Sequence, residues 1–298
     1  MGSRSMTARS RAFLKSAAAL ALVAGLSACG GGGGERGGLF GGFFQSNREP
    51  PLESFGPEEI YKRAEFELET QDIDDAVRLF SEVERLYPYS EWAKRALIMQ
   101  AFAYHADRDY ENSRASAQRF LDFYPADDDA PYAQYLLAIS YYDQIDQVGR
   151  DQGLTFQALQ SLRTVIERYP DSEYAKSSIL KFDLAFDHLA GKEMEIGRYY
   201  LKRGHYSAAI NRFRVVVEEF QTTTHTAEAL HRLVESYLSL GLTDEAQTAG
   251  AILGFNYQSS GFYQDSFNLL QGRGLEPEAA GSGWLQDIYR QVIRGQWL

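Results

Sequence analysis

Side chains able to attack a substrate, relay protons or hold a metal are scarce in this chain, which has one cysteine, Cys29, and five histidines. A zinc pair on one helix face needs histidines four residues apart; His225 and His231 are six apart, and no HExxH occurs. No Gly-x-Ser-x-Gly turn is present to expose a nucleophilic serine. Acidic residues such as Glu65, Glu67, Asp74 and Asp75 fall at outward helical positions, where a solvated face explains them better than acid–base work. Catalysis, cofactor and metal are therefore not expected, and the chain reads as one that works by binding.

The chemistry that remains belongs to Cys29. Arg4, Arg9, Arg11 and Lys15 precede an apolar run from Ala17 to Leu26, too short for a comfortable membrane span and followed by small residues. That order describes an export signal over residues 1–28. In an exported chain a lone cysteine closes no internal disulfide; it is a free thiol, a cross-link or a site of modification. Leu26-Ser27-Ala28-Cys29 resembles the lipobox of bacterial lipoproteins, which implies lipid attachment at Cys29. Several acyl chains on one residue would supply the multiple anchors that stable attachment needs. Gly30 in the following position resembles the outer-membrane pattern.

Removal of residues 1–28 takes away four positive charges and no acidic ones, moving the net charge from −11 to −15. A chain this acidic is repelled by phosphates, which argues against nucleic acid as a partner. Residues 29–55 are glycine-rich, with GGGGG at 30–34, and no Gly-Lys-Ser/Thr follows to make a phosphate loop. Such a coil reaches roughly 25 to 30 Å and acts as a tether.

What must position any binding surface is a repeat. LYPYSEWAK at 86–94 returns as RYPDSEYAK at 168–176, and Tyr124-Pro125 supplies a third stop. Proline lacks an amide proton and disfavours helix in the residue before it, so Tyr87, Tyr124 and Tyr169 should each end a helix. Ser90 and Ser172 should cap the next one, with Trp92 or Tyr174 and Ala93 or Ala175 starting its buried face. Phe220 and Tyr257 stand at two further stops without proline. Apolar landmarks such as Ile60, Ala64, Ala76 and Phe80 recur through the chain at spacings that build pairs of antiparallel helices. The period lies near the 34 residues of a tetratricopeptide repeat. The expected fold is all-α, a tetratricopeptide superhelix of about five helical hairpins over residues 56–260, followed by a partly helical C-terminal extension at 261–298. Residues 143–153, DQIDQVGRDQG, should protrude as a loop, and 172–203 should form one long helix ended by Gly204. Beyond about Phe262, glycines at 272, 274, 281 and 283 suggest a loose segment before an amphipathic helix from Trp284 to Ile293.

LSAC, the tether, the repeats ending in YP, GRDQ at 149–152 and YYLKRGHYSAAINRF at 199–213 together resemble the BamD (ComL) family of outer-membrane assembly lipoproteins. The resemblance covers Cys29 to about Tyr263 and leaves the extension unmatched. It implies a non-catalytic part of the β-barrel assembly machinery, anchored on the periplasmic face of the outer membrane. The implied partners are the barrel-forming core subunit, through its periplasmic domain nearest the membrane, small accessory lipoproteins and unfolded barrel precursors. Tyr61, Tyr87, Tyr89 and Tyr104 are candidates to line a groove for an extended peptide ending in an aromatic residue, repeat packing being the alternative for each. Arg203, Arg212, Arg150 and Asp151 are candidate partner contacts; Arg203 alternatively neutralises a helix end, and Arg212 alternatively forms an internal salt bridge. A periplasmic adaptor coupled to division or peptidoglycan machinery would share the hairpins but lack RGxYxxAINR, and a cell-wall enzyme with a helical solenoid would need a paired acid and base.

The lipid assignment is checked by feeding labelled palmitate. Wild-type chain is expected to take up label and Cys29→Ser none; an unlabelled wild type would leave Cys29 a plain thiol.

Overall fold

The computed structural model describes residues 50–147, 151–281 and 283–293. Cys29, Arg150, residues 1–28 and most of the glycine-rich segment lie outside them. A 3-10 turn at Leu52–Ser54 leads into five antiparallel hairpins. They are α1 (Pro57–Glu69) with α2 (Ile73–Leu86), α3 (Glu91–Ala106) with α4 (Tyr110–Phe123), α5 (Ala130–Tyr142) with α6 (Gly153–Arg168), α7 (Glu173–Lys202) with α8 (Tyr206–Glu219), and α9 (Thr226–Leu240) with α10 (Thr243–Asn256). Two further helices follow, α11 (Gly261–Gln271) and α12 (Trp284–Ile293). Each of the first ten helices packs on its successor, and α1–α3, α3–α5, α5–α7 and α9–α11 also touch, while α2, α4, α6 and α8 stand farther apart. Spacing that is closer on the odd side bends the stack, so the odd helices form its inner wall. This is a tetratricopeptide superhelix.

Two turns alternate along it. Between hairpins, the aromatic after each even helix leaves helical geometry, near φ −130 and ψ 53 at Tyr87, Tyr124 and Tyr169 alike. Its carbonyl then accepts the amide three residues on, from Ser90, Asp127 and Ser172. Proline suits the second position of such a turn. Phe220 and Tyr257 close the same way without it, accepting from Thr223 and Ser260 at 3.1 and 2.9 Å. As expected, Ser90 and Ser172 then cap α3 and α7 through the amides of Ala93 and Ala175.

Within hairpins, the odd helix ends in a left-handed residue: Gln71, Arg108, Gly204 or Gly241. The amide after it bonds back five residues, as from Asp72 to Glu67 and from His205 to Tyr200, which satisfies carbonyls of the last turn. The third hairpin departs from this pattern, its helices joined by residues 143–152.

Seven and four residues before each closing aromatic stand Phe80 and Val83, Ala117 and Phe120, Leu162 and Val165, Phe213 and Val216, all fully buried. In the fifth hairpin the pair is Gly250 and Leu253. The volume missing at Gly250 is filled from outside, since a Cβ there would sit 2.7 Å from Leu270 of α11. Hence residues 261–271 are an ordered helix where a loose segment was expected: Ser260 caps its start and Leu270 drops into the seat Gly250 leaves.

Candidate functional site

The inner wall is built where successive odd helices meet, and the meeting points are aromatic. Tyr61 of α1 packs on Trp92 of α3 at 5.0 Å between rings, and Tyr132 and Tyr135 of α5 pack on Tyr174 of α7 at 5.2 and 5.3 Å. Cations overlie them: Arg95 lies 5.1 Å from the Trp92 ring, and Lys181 lies 5.8 Å from Tyr135 and 5.7 Å from Tyr142. Trp92, Tyr132, Tyr135 and Tyr174 are half-buried, with part of each ring facing solvent. Burial pushes the Tyr132 hydroxyl up to about 12, so it stays a neutral donor. Between the two aromatic clusters, Lys94 of α3 pairs with Asp127 ahead of α5 at 2.6 Å, which holds the aspartate below and the lysine above their usual ranges.

The four tyrosines proposed from sequence do not share one groove. Tyr61 is core, 6% exposed, wedged between Phe80 and Trp92. Its hydroxyl is raised to about 12, by burial first and then by Glu65. Tyr87 turns back and donates to the carbonyl of Phe55 at 2.6 Å, closing the first repeat. Tyr89 is fully exposed in the turn after it. Tyr104 sits at the opposite end of α3, about 22 Å along the helix from Tyr89, half-buried and shifted up by burial and by Asp109 and Asp74. The better-placed residues are Trp92 and Tyr174. They carry the signal of the repeated SEW and SEY, whose spacing predicts the buried face; the structure leaves them half open because they stand on the rim where two odd helices touch.

The candidate partner contacts are engaged at home. Arg212 of α8 pairs with Glu193 of α7 at 3.0 Å, within one hairpin, and is partly exposed. Arg203 follows α7 and lays its guanidinium 4.3 Å from the ring of Tyr199. Asp151 accepts the amide of Gly153 at 3.3 Å and so orders the entry to α6. Arg150 lies outside the described residues.

At the C-terminal end of the wall, α9 and α11 flank an open cleft lined by His231, Arg232, Glu235, Phe262 and Asp265. Buried His231 exchanges a hydrogen bond with Ser266 at 2.8 Å through Nδ1, and its Nε2 stands 3.7 Å from Glu235. Arg232 joins Glu235 at 2.7 Å to Glu228 at 3.3 Å, and Arg198 of α7 reaches Glu228 at 3.1 Å. The charges thus link α7 to α9, and His231 links α9 to α11. Among the described residues no cluster of side chains could hold a metal, and no helix is long and apolar enough to cross a membrane.

The chain is similar to known proteins over the hairpins. The model of a family described as "Outer membrane lipoprotein" (YfiO) matches residues 54–252. "Outer membrane protein assembly factor BamD" of Caulobacter vibrioides is 48% identical over 218 residues, 73% of this chain and 72% of that protein. The protein of the same description from Rickettsia prowazekii is 42% identical over 212 residues, covering 71% and 84% of the two chains. That from Neisseria meningitidis serogroup A is 29% identical over 215 residues, covering 69% and 80%.

His231 makes the α9–α11 contact sensitive to acid. Burial foremost lowers its pKa from 6.5, against the raising pull of Glu235, Asp265 and Glu228; Arg232 adds to the lowering. The unfolded chain therefore binds the proton more readily, so the stabilisation is present above about pH 6.5 and is lost as pH falls below it. Melting temperature is expected to drop from about pH 7.5 to about pH 5, with a shallower drop in His231→Gln, which keeps a partner for Ser266 without titrating. Equal slopes would remove His231 as the source.

Proposed function

We propose, since the chain belongs to the BamD family of outer membrane lipoproteins, that it is a non-catalytic scaffold for outer-membrane protein assembly, held at the periplasmic face by lipid on Cys29. Its inner wall receives unfolded barrel precursors, and the second half of the solenoid holds the barrel-forming core subunit through that subunit's periplasmic domain nearest the membrane, with accessory lipoproteins alongside. The observation that carries this reading is the row of half-open aromatics Trp92, Tyr132, Tyr135 and Tyr174 with Arg95 and Lys181 above them. An extended peptide ending in an aromatic residue meets apolar rings for its side chain and cations for its terminal carboxylate. The rigid stack presents both with little ordering cost.

Arg212 is proposed as a contact for the core subunit on the strength of the segment RGHYSAAINRF. Its partner Glu193 is only partly buried, and an ion pair of that exposure is worth about 1 kcal/mol or less, so a carboxylate of the core subunit can take the guanidinium over. Exchange of one carboxylate for another makes the two roles separable by charge reversal.

A photo-reactive residue at Trp92 or Tyr135 is expected to cross-link to barrel-precursor peptides ending in an aromatic, and one at Asp74 on an even helix is not; equal labelling at all three removes the inner-wall reading. Arg212→Glu is expected to cost about 1 kcal/mol or less in stability while abolishing co-purification with the core subunit. The double change Arg212→Glu with Glu193→Arg rebuilds the internal pair. If it also rebuilds co-purification, Arg212 is structural and the contact assignment fails.

A further inference from the structure

Three consecutive inner helices differ at one equivalent position. The second residue is Trp92 in α3, Pro131 in α5 and Tyr174 in α7. Each of the two rings leans on the odd helix before it, Trp92 on Tyr61 of α1, and Tyr174 on Tyr132 and Tyr135 of α5. Pro131 puts no ring at that place in α5, and the step from α3 to the entry of α5 is bridged instead by the Lys94–Asp127 ion pair at 2.6 Å. The half-open aromatics of the inner wall therefore gather at two stations, one where α1 meets α3 and one where α5 meets α7.

The stations differ in what they offer. At the first, one ring is open: Tyr61 behind Trp92 is sealed, and the Arg95 guanidinium over Trp92 already has the exposed Glu91 at 4.0 Å. At the second, three half-open rings meet, and the Lys181 ammonium that overlies Tyr135 donates to a neutral partner, the Ser177 hydroxyl at 3.4 Å. An ammonium beside open rings suits an aromatic residue that ends in a free carboxylate, whereas the single ring of Trp92 suits an aromatic within the chain. Trp92 and Tyr174 stand two inner helices apart, and packed helices run about 8 to 10 Å from axis to axis, so the stations are about 16 to 20 Å apart. An extended chain advances about 3.3 Å per residue and turns every second side chain to the same side. The distance corresponds to about five or six residues, and of these only an even number brings both rings to the wall.

Taking the inner wall as the seat of unfolded barrel precursors, as proposed above, we infer that it selects a pair of aromatic residues six positions apart in one extended C-terminal segment. The terminal aromatic lies against Tyr132, Tyr135 and Tyr174 with its carboxylate at Lys181, and the aromatic six residues before it lies against Trp92. Spacing matters because the stations belong to one rigid stack. A segment held at one station meets the other at high effective concentration when its rings match the separation, and gains nothing from a second ring that faces away. Trp92 is thereby the specificity-determining residue for the inner aromatic, and Lys181 for the free terminus.

The probes are fluorescent peptides of serine, threonine and asparagine that end in phenylalanine with a free carboxylate. They carry a second phenylalanine five or six residues before the first, or none, and are titrated by anisotropy into the full chain. The six-spaced peptide is expected to bind about tenfold or more tighter than the five-spaced one, which should match the peptide with a single phenylalanine. Trp92→Ala is expected to bring the six-spaced peptide down to the single-phenylalanine level, and Lys181→Gln to weaken all three peptides by the same factor. The peptide series needs no altered chain, so it decides the spacing even where Trp92→Ala disturbs the packing on Tyr61. Equal affinity at spacings of five and six overturns the pairing and leaves the wall a single seat for a terminal aromatic. A preference for six that survives Trp92→Ala overturns the assignment of Trp92. Loss of binding by every peptide, the single-phenylalanine one included, overturns the inner-wall reading itself.

Discussion

Everything in this fold hangs on the turn that joins one hairpin to the next. An aromatic residue leaves the helix, its carbonyl takes the amide three residues on, and the next odd helix starts in a direction set by that closure. Because the backbone at Tyr87, Tyr124 and Tyr169 is almost the same, with Phe220 and Tyr257 close to it, each hairpin is added with a similar rotation. The ring then anchors the join: Tyr87 reaches back to the Phe55 carbonyl, and Tyr257 to that of Gln221 at 3.4 Å. Counting back from the aromatic, the residues seven and four before it are fully buried in the first four hairpins, so one local turn is tied both to the step of the stack and to the composition of its core.

That rule shows why some of the molecule was legible in the sequence and some was not. Tyrosine-proline and serine caps act through bonds between residues close in the chain, and so the stops, the caps of α3 and α7, the thirty-residue helix α7 and its end at Gly204 could be read directly. The left-handed Gln71 and Arg108 could not, because neither residue advertises the conformation that the surrounding turn imposes. α11 was missed for a different reason: its stability comes from the space left by Gly250, a contact across twenty residues that no local pattern records. The tyrosines misled because aromatic type alone does not tell core from rim. Tyr61 and Trp92 lie against each other, yet the former is sealed and the latter half open, and only the meeting of α1 with α3 decides which.

Rigidity and recognition are coupled on the inner wall. The same rings that hold α1 to α3 and α5 to α7 present their remaining faces to the groove, so a peptide is met by side chains whose positions are already fixed by packing. Lys181 and Arg95 stand over those rings, and the carboxylate paired with Arg95, Glu91 at 4.0 Å, is exposed and loosely held, so both cations can attract an anion in a chain that is otherwise strongly acidic. The surrounding negative charge has its own consequence: it repels acidic surfaces in general, so an anion is drawn to local cations rather than to the chain as a whole.

The C-terminal helices cover the apolar side that the fifth hairpin would otherwise expose. α11 repeats the inner half of a hairpin, but α12 abandons the outer half and folds back over α10, so that the stack closes on itself rather than inviting another unit. The cost falls on the groove between α8 and α10, which is filled by Trp284 and the apolar face behind it. Between α6 and α8 an arginine, Arg163, instead lies 5.5 Å from the ring of Phe182 in α7, which stacks on Phe186. The repeat geometry that builds the core thus also lays out an inner wall of half-open rings and, beside α10, an outer seat that the chain fills with its own α12.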